Sequence, residues 1–269
     1  MDLSTVIGLV VAFGSLLASL LLEGGEPQAF LQPSAMLIVF GGTFGAALIA
    51  FPMETFTSLP KLFQVAIKKQ DYDSPGLVEK FVELAEKARK NGLLALESET
   101  TDMKDPFLKQ AVMMAVDGTE AETIKDILEV QVETLAERHE AGFGMLEAMG
   151  GFAPTMGIIG TVMGLVHVLG NLSDPNSLGP KIAVAFIATL WGVLTANLLW
   201  LPLGNKLKRK SHEEVFYRTI IIEGTLAVQS GENPRVVRQK LAGMVAQGKN
   251  KKDEAEADGT PAADAKRAA

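Results

Sequence analysis

The sequence predicts an all-α fold: a polytopic membrane protein with four transmembrane helices and a helical cytoplasmic domain. The strongest observation is the stretch Gly150–Leu203, which forms two apolar arms around a short turn containing Asp174. Neither arm contains Asp, Glu, Lys or Arg, because none occurs between Glu147 and Asp174 or within 182–203. Each arm is long enough to cross a hydrocarbon core of about 30 Å at about 1.5 Å per residue. We therefore expect a transmembrane hairpin.

Two further apolar runs predict the first two spans. Leu3–Leu22 is an uncharged run, and Ala35–Phe51 is a shorter one. The N-terminus lacks a basic region and a small-residue cleavage motif, so we interpret Leu3–Leu22 as a retained span rather than a signal peptide. A turn marked by Gly and Pro, residues 23–33, separates the two spans.

The distribution of Lys and Arg predicts the orientation. Residues 53–147 contain 11 Lys and Arg residues, whereas the turns 23–34 and 171–180 contain none. Because positively charged loops remain in the cytoplasm, both turns should face outward and both termini inward. We expect five segments: spans one and two in 1–52, a cytoplasmic helical domain in 53–147, spans three and four in 148–204, cytoplasmic helices in 205–248, and a disordered tail in 249–269.

Helix signals subdivide the polar region. Ser74 and Pro75 are typical of a helix start, and Asn91–Gly92 should end that helix. A second helix should begin after Asp105 and end near Asp117. The next helix should start after Thr119 and continue into the third span. Beyond the fourth span we expect helix from 215 to 229 and again from 233 to about Ala246. Residues 249–269 contain no large apolar side chain, which is typical of disorder.

Composition excludes several classes of function. The chain has 269 residues, no cysteine, three histidines and a net charge of −7. Disulfides, thiol catalysis and cysteine-ligated metal are therefore excluded, and there is no basic footprint for nucleic acid. No phosphate-binding loop, nucleophile elbow or zinc-protease motif is present. We expect no enzyme activity and no bound cofactor, so any work should be driven by an ion gradient.

Two threonines are the candidate ion-pathway residues. Thr161 lies near the middle of the first arm of the hairpin, and Thr189 lies on the second. Membrane threonines often bond a carbonyl of their own helix and simply pack, but hydroxyls near mid-bilayer can also replace water around a cation. None of the four spans contains a carboxylate, lysine or arginine. An ion-driven machine built from this chain must therefore obtain its charged group from a partner.

Two prolines and a group of charges complete the candidate sites. Pro154 and Pro202 lie at the charged ends of the two arms, where they shape helix ends or form a hinge. Arg89, Lys90 and Glu97 flank the break at Asn91–Gly92, with Glu99 nearby. A solvated charged surface is the ordinary interpretation. The alternative is electrostatic docking of a partner.

The sequence resembles the MotA/PomA family, the A-subunits of the bacterial flagellar stator, over residues 1 to about 247. The segments that carry the resemblance are ARKNGLLALESE (88–99), AVDGTEAETIKDIL (115–128), APTMGIIGTVMGLVHVL (153–169), AFIATLWG (185–192), NLLWLPLGNKLKRKS (197–211) and EGTLAVQSGENPRVV (223–237). The family belongs to the wider MotA/TolQ/ExbB group. The resemblance implies a location in the bacterial inner membrane.

The resemblance also implies partners and residue roles. Five A-subunits would surround two single-span B-subunits of the MotB/PomB type, and an aspartate of the B-subunit would supply the charge missing here. By position, Arg89 and Glu97, with Lys90 beside them, match the family's contacts to the rotor protein FliG. Pro154 and Pro202 match the prolines assigned to coupling ion flow to movement. Ser98 stands where some relatives carry a second acid, so the acidic half of the rotor contact should be weaker.

Ion choice has two interpretations. Thr189 matches a threonine that the resemblance assigns to both proton-type and sodium-type members. Thr161 matches a position that looks like threonine in sodium-type members and alanine in proton-type members. Ala188 departs from the paired threonines of the Vibrio-type sodium proteins. We favour sodium, with a proton-driven stator as the alternative. An ExbB/TolQ-like motor subunit and a passive scaffold or channel are further hypotheses, and the two spans before the polar region argue against the ExbB/TolQ type.

Overall fold

The computed structural model describes residues 3–25, 27–69, 72–170 and 175–257. Within these ranges the chain is helical and contains no strand. Four helical stretches are long and apolar enough to cross a membrane, beginning at Thr5, Pro27, Ala121 and Leu178. The all-α class with four candidate spans is thus confirmed. The chain divides into two compact units, which we name the membrane unit (1–69 and 139–208) and the polar unit (70–138 and 209–269).

The membrane unit begins with two candidate spans. Helix α1 is Leu3–Leu22, and its apolar side chains are largely exposed, as expected of a helix that faces lipid. The second span is assembled from shorter pieces: α2 Pro27–Phe30, α3 Pro33–Met36, a π-helical turn Leu37–Gly41 and α4 Gly42–Ala50. Helices α5 Met53–Thr57 and α6 Leu59–Ile67 follow.

Helix α6 packs within the membrane unit. The sequence predicts a cytoplasmic helical domain from residue 53, and the contacts of residues 53–69 are with the membrane unit. The reason is the amphipathic pattern of α6, which buries Leu59 and Ala66 in a core with Trp200. Phe63 lies edge-on to the Trp200 ring, with 6.2 Å between centroids. The apolar face of α6 therefore decides where the helix packs, since Lys61 is its one charged residue.

The polar unit forms around the helices that the sequence predicts. Helix α7 is Ser74–Asn91, and the Asp73 carboxylate caps it by accepting from the Gly76 N–H at 2.9 Å. A 3-10 turn Leu93–Leu96 and helix α8 Glu97–Thr100 follow, and then α9 Pro106–Val116. The core is apolar, and its largest fully buried side chains include Phe81, Leu84, Leu96, Ile124, Leu128, Ile220, Ile221 and Leu241.

Two long helical stretches carry the third and fourth spans. Helix α10 runs from Ala121 to Leu169 with Pro154 inside it, which agrees with the expected continuity of this helix into the third span. The other stretch consists of α11 Pro175–Thr195, a π-helical turn Ala196–Trp200 and α12 Leu201–Gln229. The sequence predicts helix again from residue 215 after the fourth span, whereas α12 is continuous from Leu201 to Gln229.

The final helix, α13, is Pro234–Ala257 and continues past the expected end near Ala246. The segment expected to be disordered from residue 249 therefore begins as helix. Its Lys, Glu and Ala residues have high intrinsic helix propensity, so the lack of large apolar side chains does not prevent helix formation. Residues 258–269, the rest of the expected tail, lie outside the described residues.

Candidate functional site

The two arms of the hairpin pack with their backbones almost in contact. A β-carbon added at Gly157 would lie 2.8 Å from the Ala188 carbonyl oxygen, and one at Gly192 would lie 2.5 Å from the Ala153 carbonyl oxygen. One at Gly164 would lie 2.6 Å from the Ala185 Cβ. In lipid, where apolar contact does not drive association, such close approach supplies van der Waals contact between helices. The glycines therefore fix the distance between α10 and α11.

This close approach brings Thr161 and Thr189 together. Their hydroxyl groups are in direct contact across the hairpin. The Thr161 Oγ1 also lies 3.1 Å from the Gly157 carbonyl of its own helix and 3.0 Å from the Ala185 carbonyl of the other. The Thr189 Oγ1 lies 3.3 Å from the same Gly157 carbonyl. Four oxygen atoms from two helices thus converge at one point, and both side chains are half-buried.

The hydrogen bonds of Thr161 and Thr189 differ from those of a membrane threonine that only packs. A threonine that merely packs bonds the carbonyl four residues back on its own helix. Here the Thr161 hydroxyl reaches the Ala185 carbonyl of the opposite arm as well, and the Thr189 hydroxyl reaches the Gly157 carbonyl across the hairpin. Hydroxyl and carbonyl oxygens are the uncharged ligands that replace water around a cation. The cluster lacks a formal negative charge, so it could hold a cation strongly only if a carboxylate came from outside this chain.

The two prolines lie beside close helix contacts. Pro154 has no N–H, so the Gly150 carbonyl loses its usual partner in α10. A β-carbon at Gly150 would lie 2.5 Å from a methyl group of Leu201, the residue before Pro202, and one at Gly192 would lie 3.2 Å from the Pro154 Cα. The helix before Pro202 widens into the π-helical turn, where the Leu201 N–H donates to the Ala196 carbonyl. Such turns can absorb a proline and often mark functional sites.

The charged ends near these prolines contain an ion pair. Lys208 lies 3.7 Å from the Glu147 carboxylate, and its ammonium is 5.7 Å from the centre of the Phe143 ring. Lys206 donates to the Thr5 hydroxyl. These contacts tie the polar ends of α10, α12 and α1 together within the membrane unit.

The candidate rotor-contact residues lie at one turn of the polar unit. Arg89 and Lys90 are in the last turn of α7, and Glu97 begins α8. Between them Gly92 adopts a φ of +82°, a left-handed conformation that glycine adopts without strain. All three charged side chains are exposed, and none forms an ion pair within the described chain.

Glu99, which the sequence places beside them, has a different environment. Its carboxylate accepts from the ammonium groups of Lys87 and Lys80, the latter at 3.1 Å. These hydrogen bonds, first that of Lys87 and then that of Lys80, lower the pKa of Glu99. The structure therefore separates Glu99, whose charge is used within the fold, from Glu97, whose charge is available to a partner. Sequence reasoning missed Lys80 and Lys87 because both partners are distant in the chain.

Sequence reasoning also missed a role for Trp191. Its indole N–H donates to the Phe30 carbonyl at 2.8 Å, and its ring centroid is 6.2 Å from that of Phe40. The contact ties α2, at the start of the second candidate span, to the fourth span two residues beyond Thr189. The sequence does place an indole N–H within an apolar span, and such a donor needs an acceptor, so a hydrogen bond from Trp191 could have been predicted.

Comparison with known proteins assigns the chain to a family. Residues 6–92 match the family model for the motility protein A N-terminal region, and residues 99–219 match that for the MotA/TolQ/ExbB proton channel family. Motility protein A of Bacillus subtilis is 43% identical over 242 residues, which cover 90% of each chain. The chemotaxis protein PomA of Vibrio alginolyticus is 36% identical, covering 93% of this chain and 97% of its own.

Two solved structures agree with these relatives. The C. jejuni MotAB structure superposes with a TM-score of 0.85 at 35% identity, covering 91% of this chain and 96% of that one. The flagellar MotAB stator complex of Bacillus subtilis gives a TM-score of 0.82 at 43% identity, covering 88% and 93%. The resemblance stated from the sequence is thereby confirmed: the chain belongs to the motility protein A family of flagellar stator subunits.

Proposed function

We propose that this chain is the ion-conducting, torque-generating A-subunit of a flagellar stator. Cations flow inward through a complex with a MotB/PomB-type single-span partner, and the resulting movement acts on the rotor protein FliG. The two similar solved structures, described as MotAB complexes, support the partner. We further propose five A-subunits around two B-subunits in the inner membrane, surrounded by membrane lipid, with both termini in the cytoplasm.

The oxygen cluster at Thr161 and Thr189 is the observation that carries the proposal. It offers polar ligands inside a span but no charge, so a carboxylate from the partner completes the site. Protonation or cation binding at that carboxylate would change its hydrogen bonds with the cluster. Pro154 and Pro202, which flank the tightest contacts of the hairpin, would pass that change to the polar ends of the helices.

Sodium is the cation we favour. The Thr161 hydroxyl adds a fourth oxygen to a group of two carbonyls and the Thr189 hydroxyl, and Na⁺ binds through several oxygen ligands. A proton needs only one acceptor, which the partner's carboxylate would supply without Thr161. The alternative, a proton-driven stator of the same family, therefore predicts that the Thr161 hydroxyl is dispensable.

Swimming speed tests this choice. We would measure speed against external sodium at fixed pH, with and without a protonophore, in cells that rely on this subunit and its native partner. Sodium drive predicts a speed that saturates with sodium and survives the protonophore, and Thr161→Ala should raise the sodium concentration for half-maximal speed. Thr155→Ala is the matched control, because within the described residues the Thr155 hydroxyl bonds only the Phe152 carbonyl of its own helix, at 2.7 Å. A speed independent of sodium but abolished by the protonophore would establish proton drive.

An ExbB/TolQ-like motor for an envelope machine is the second candidate, because the matched channel-family model includes those proteins. The match of residues 6–92 to the motility protein A N-terminal region favours the stator. Deletion of the gene distinguishes the two: the stator predicts immotile cells with normal filaments, whereas the envelope motor predicts motile cells with a defect in envelope transport or integrity.

A further inference from the structure

The turn between the candidate rotor-contact charges presents one leucine to solvent. Leu94 is 74% exposed, whereas Leu93 and Leu96 of the same 3-10 turn face the core. Leu96 is fully buried, and Leu93 packs partly buried against the core of the polar unit. Single exposed apolar side chains are common on protein surfaces, so the exposure of Leu94 alone indicates nothing. What distinguishes Leu94 is its neighbours, because Arg89, Lys90 and Glu97 are exposed and form no ion pair within the described chain.

The exposure of Leu94 does not come from a loose loop. The Gly92 N–H donates to the Ala88 carbonyl at 2.9 Å, and the Ala95 N–H donates to the Gly92 carbonyl at 3.2 Å. Glu99 is bound to the two lysines of α7 just beyond the turn. The turn is therefore fixed by hydrogen bonds before Leu94, by burial of Leu96 after it, and by ion pairs at its far end. Because the backbone of the turn is already ordered, binding through Leu94 needs no ordering of a loop, which lowers its entropic cost.

The charges around Leu94 have a definite arrangement. In a 3-10 turn, side chains three residues apart lie on the same side, which places Leu93 with Leu96 inward and Leu94 with Glu97 outward. Arg89 and Lys90 precede the turn on the last turn of α7. The exposed leucine thus lies between a pair of cations and one anion. We name Arg89, Lys90, Leu94 and Glu97 the docking turn.

We propose that Leu94 is the apolar anchor of the docking turn and inserts into an apolar pocket on the rotor protein. This rests on the proposed function, in which the same turn contacts the rotor. The complementary partner surface has a carboxylate facing Arg89 and Lys90, a cationic side chain facing Glu97, and the pocket between them. Exposed ion pairs contribute little affinity in water, whereas a few desolvated side chains inside a polar rim contribute most of it. The charges increase the rate of association, and burial of Leu94 slows dissociation.

The test is the affinity of the full-length chain, assembled with its B-type partner in lipid nanodiscs, for the purified rotor protein. Leu94→Ala should weaken binding about tenfold, and Leu94→Met, which keeps a side chain of similar volume, should restore most of it. The control is Val130→Ala, which removes methyl groups from another exposed apolar side chain of the polar unit, 59% exposed. It should change the affinity less than twofold. Because both sites are exposed, neither variant should change thermal unfolding or membrane insertion.

Salt concentration separates the two contributions. Raising the salt should weaken binding of wild-type protein and of Leu94→Ala by the same factor, because the charges are unchanged in both. If Leu94→Ala binds within twofold of wild type, or no more weakly than Val130→Ala, the anchor proposal is overturned while the stator function stands. If the wild-type complex fails to bind the rotor protein at any salt concentration, the rotor contact and the anchor proposal are both overturned.

Discussion

The functional polar groups of the membrane unit are bonded within the chain, whereas those of the polar unit are exposed to solvent. In the hairpin, the hydroxyls of Thr161 and Thr189 and the indole of Trp191 are all bonded to groups of the same chain. In the polar unit, Arg89 and Glu97 are exposed and form no ion pair within the described chain. The difference follows from the solvent. An unpaired polar group is costly in lipid, whereas water solvates an unpaired charge.

The difference also determines how each site responds to change. The hairpin cluster depends on helix contacts with no spare space, so loss of one hydroxyl or gain of one methyl group disturbs several neighbours. The docking turn depends on side chains that contact solvent, so a substitution there should alter partner binding and leave the fold intact. Four predictions test this contrast, from the largest expected effect to the smallest.

Thr189→Ala should abolish swimming without reducing the amount of protein in the membrane. The substitution removes the contact with Thr161 and the bond to the Gly157 carbonyl, while the close packing of the helices remains. Swimming speed and membrane protein level are the measurements. Thr195→Ala is the control, since the Thr195 hydroxyl bonds carbonyls of its own helical stretch, that of Trp191 at 2.8 Å. Wild-type speed in the Thr189 variant would favour the passive scaffold.

Arg89→Glu should reduce swimming speed severalfold while ion flow through the assembled complex persists. Charge reversal at the docking turn repels the carboxylate expected on the partner, but Arg89 forms no ion pair within the described chain. Ion flux into lipid vesicles that contain the assembled complex measures ion flow. Lys109→Glu, another exposed charge reversal in the polar unit, should retain more speed. If Arg89→Glu stopped ion flow as well, the two sites would not be separable.

Gly192→Ala should lower the free energy of unfolding by about 1–3 kcal/mol, the usual cost of overpacking a tight contact. The new methyl group would meet the Ala153 carbonyl and the Gly157 Cα, which are backbone atoms and cannot rotate away. Gly45→Ala in the second span is the matched control, because nothing lies within 4 Å of its added carbon. Thermal unfolding in detergent compares the two. Equal stability of the variants would contradict the packing deduced for the hairpin.

Glu99→Gln should lower stability at neutral pH by at most about 1 kcal/mol, because its ion pairs are partly exposed. Since the pKa of Glu99 is lowered from 4.5 in the folded chain, its contribution is fully present above that value and is lost as the pH falls through the lower folded pKa. The difference between Glu99→Gln and wild type should therefore vanish in acid. Glu97→Gln is the matched control, because Glu97 forms no ion pair within the described chain, and at neutral pH this variant should be as stable as wild type. The measurement is thermal unfolding of wild type and Glu99→Gln from neutral to acid pH, and an equal difference at every pH would contradict the prediction.

Much of the fold was predictable from local patterns. Uncharged runs predicted the four spans. Gly92 marked the end of α7, and Asp105 marked the start of α9. The continuity of α10 followed from the absence of a helix breaker before the third span. Two features could not be predicted from local patterns. Helix α6 groups with the membrane unit because its apolar face packs in a core with Trp200. Helix α13 continues to Ala257, in a stretch whose Lys, Glu and Ala residues have high helix propensity.

The sequence by itself determined which residues carry the chemistry. Thr161 and Thr189 are polar groups in spans without charge, and Arg89, Lys90 and Glu97 flank a glycine break; both facts are local. Tertiary structure alone decided which of these groups meet and which remain available. The contact of the two hydroxyls depends on glycines that let α10 and α11 approach, and the separation of Glu97 from Glu99 depends on lysines a helix away. Contacts between residues distant in the chain depend on packing geometry, which no local pattern encodes.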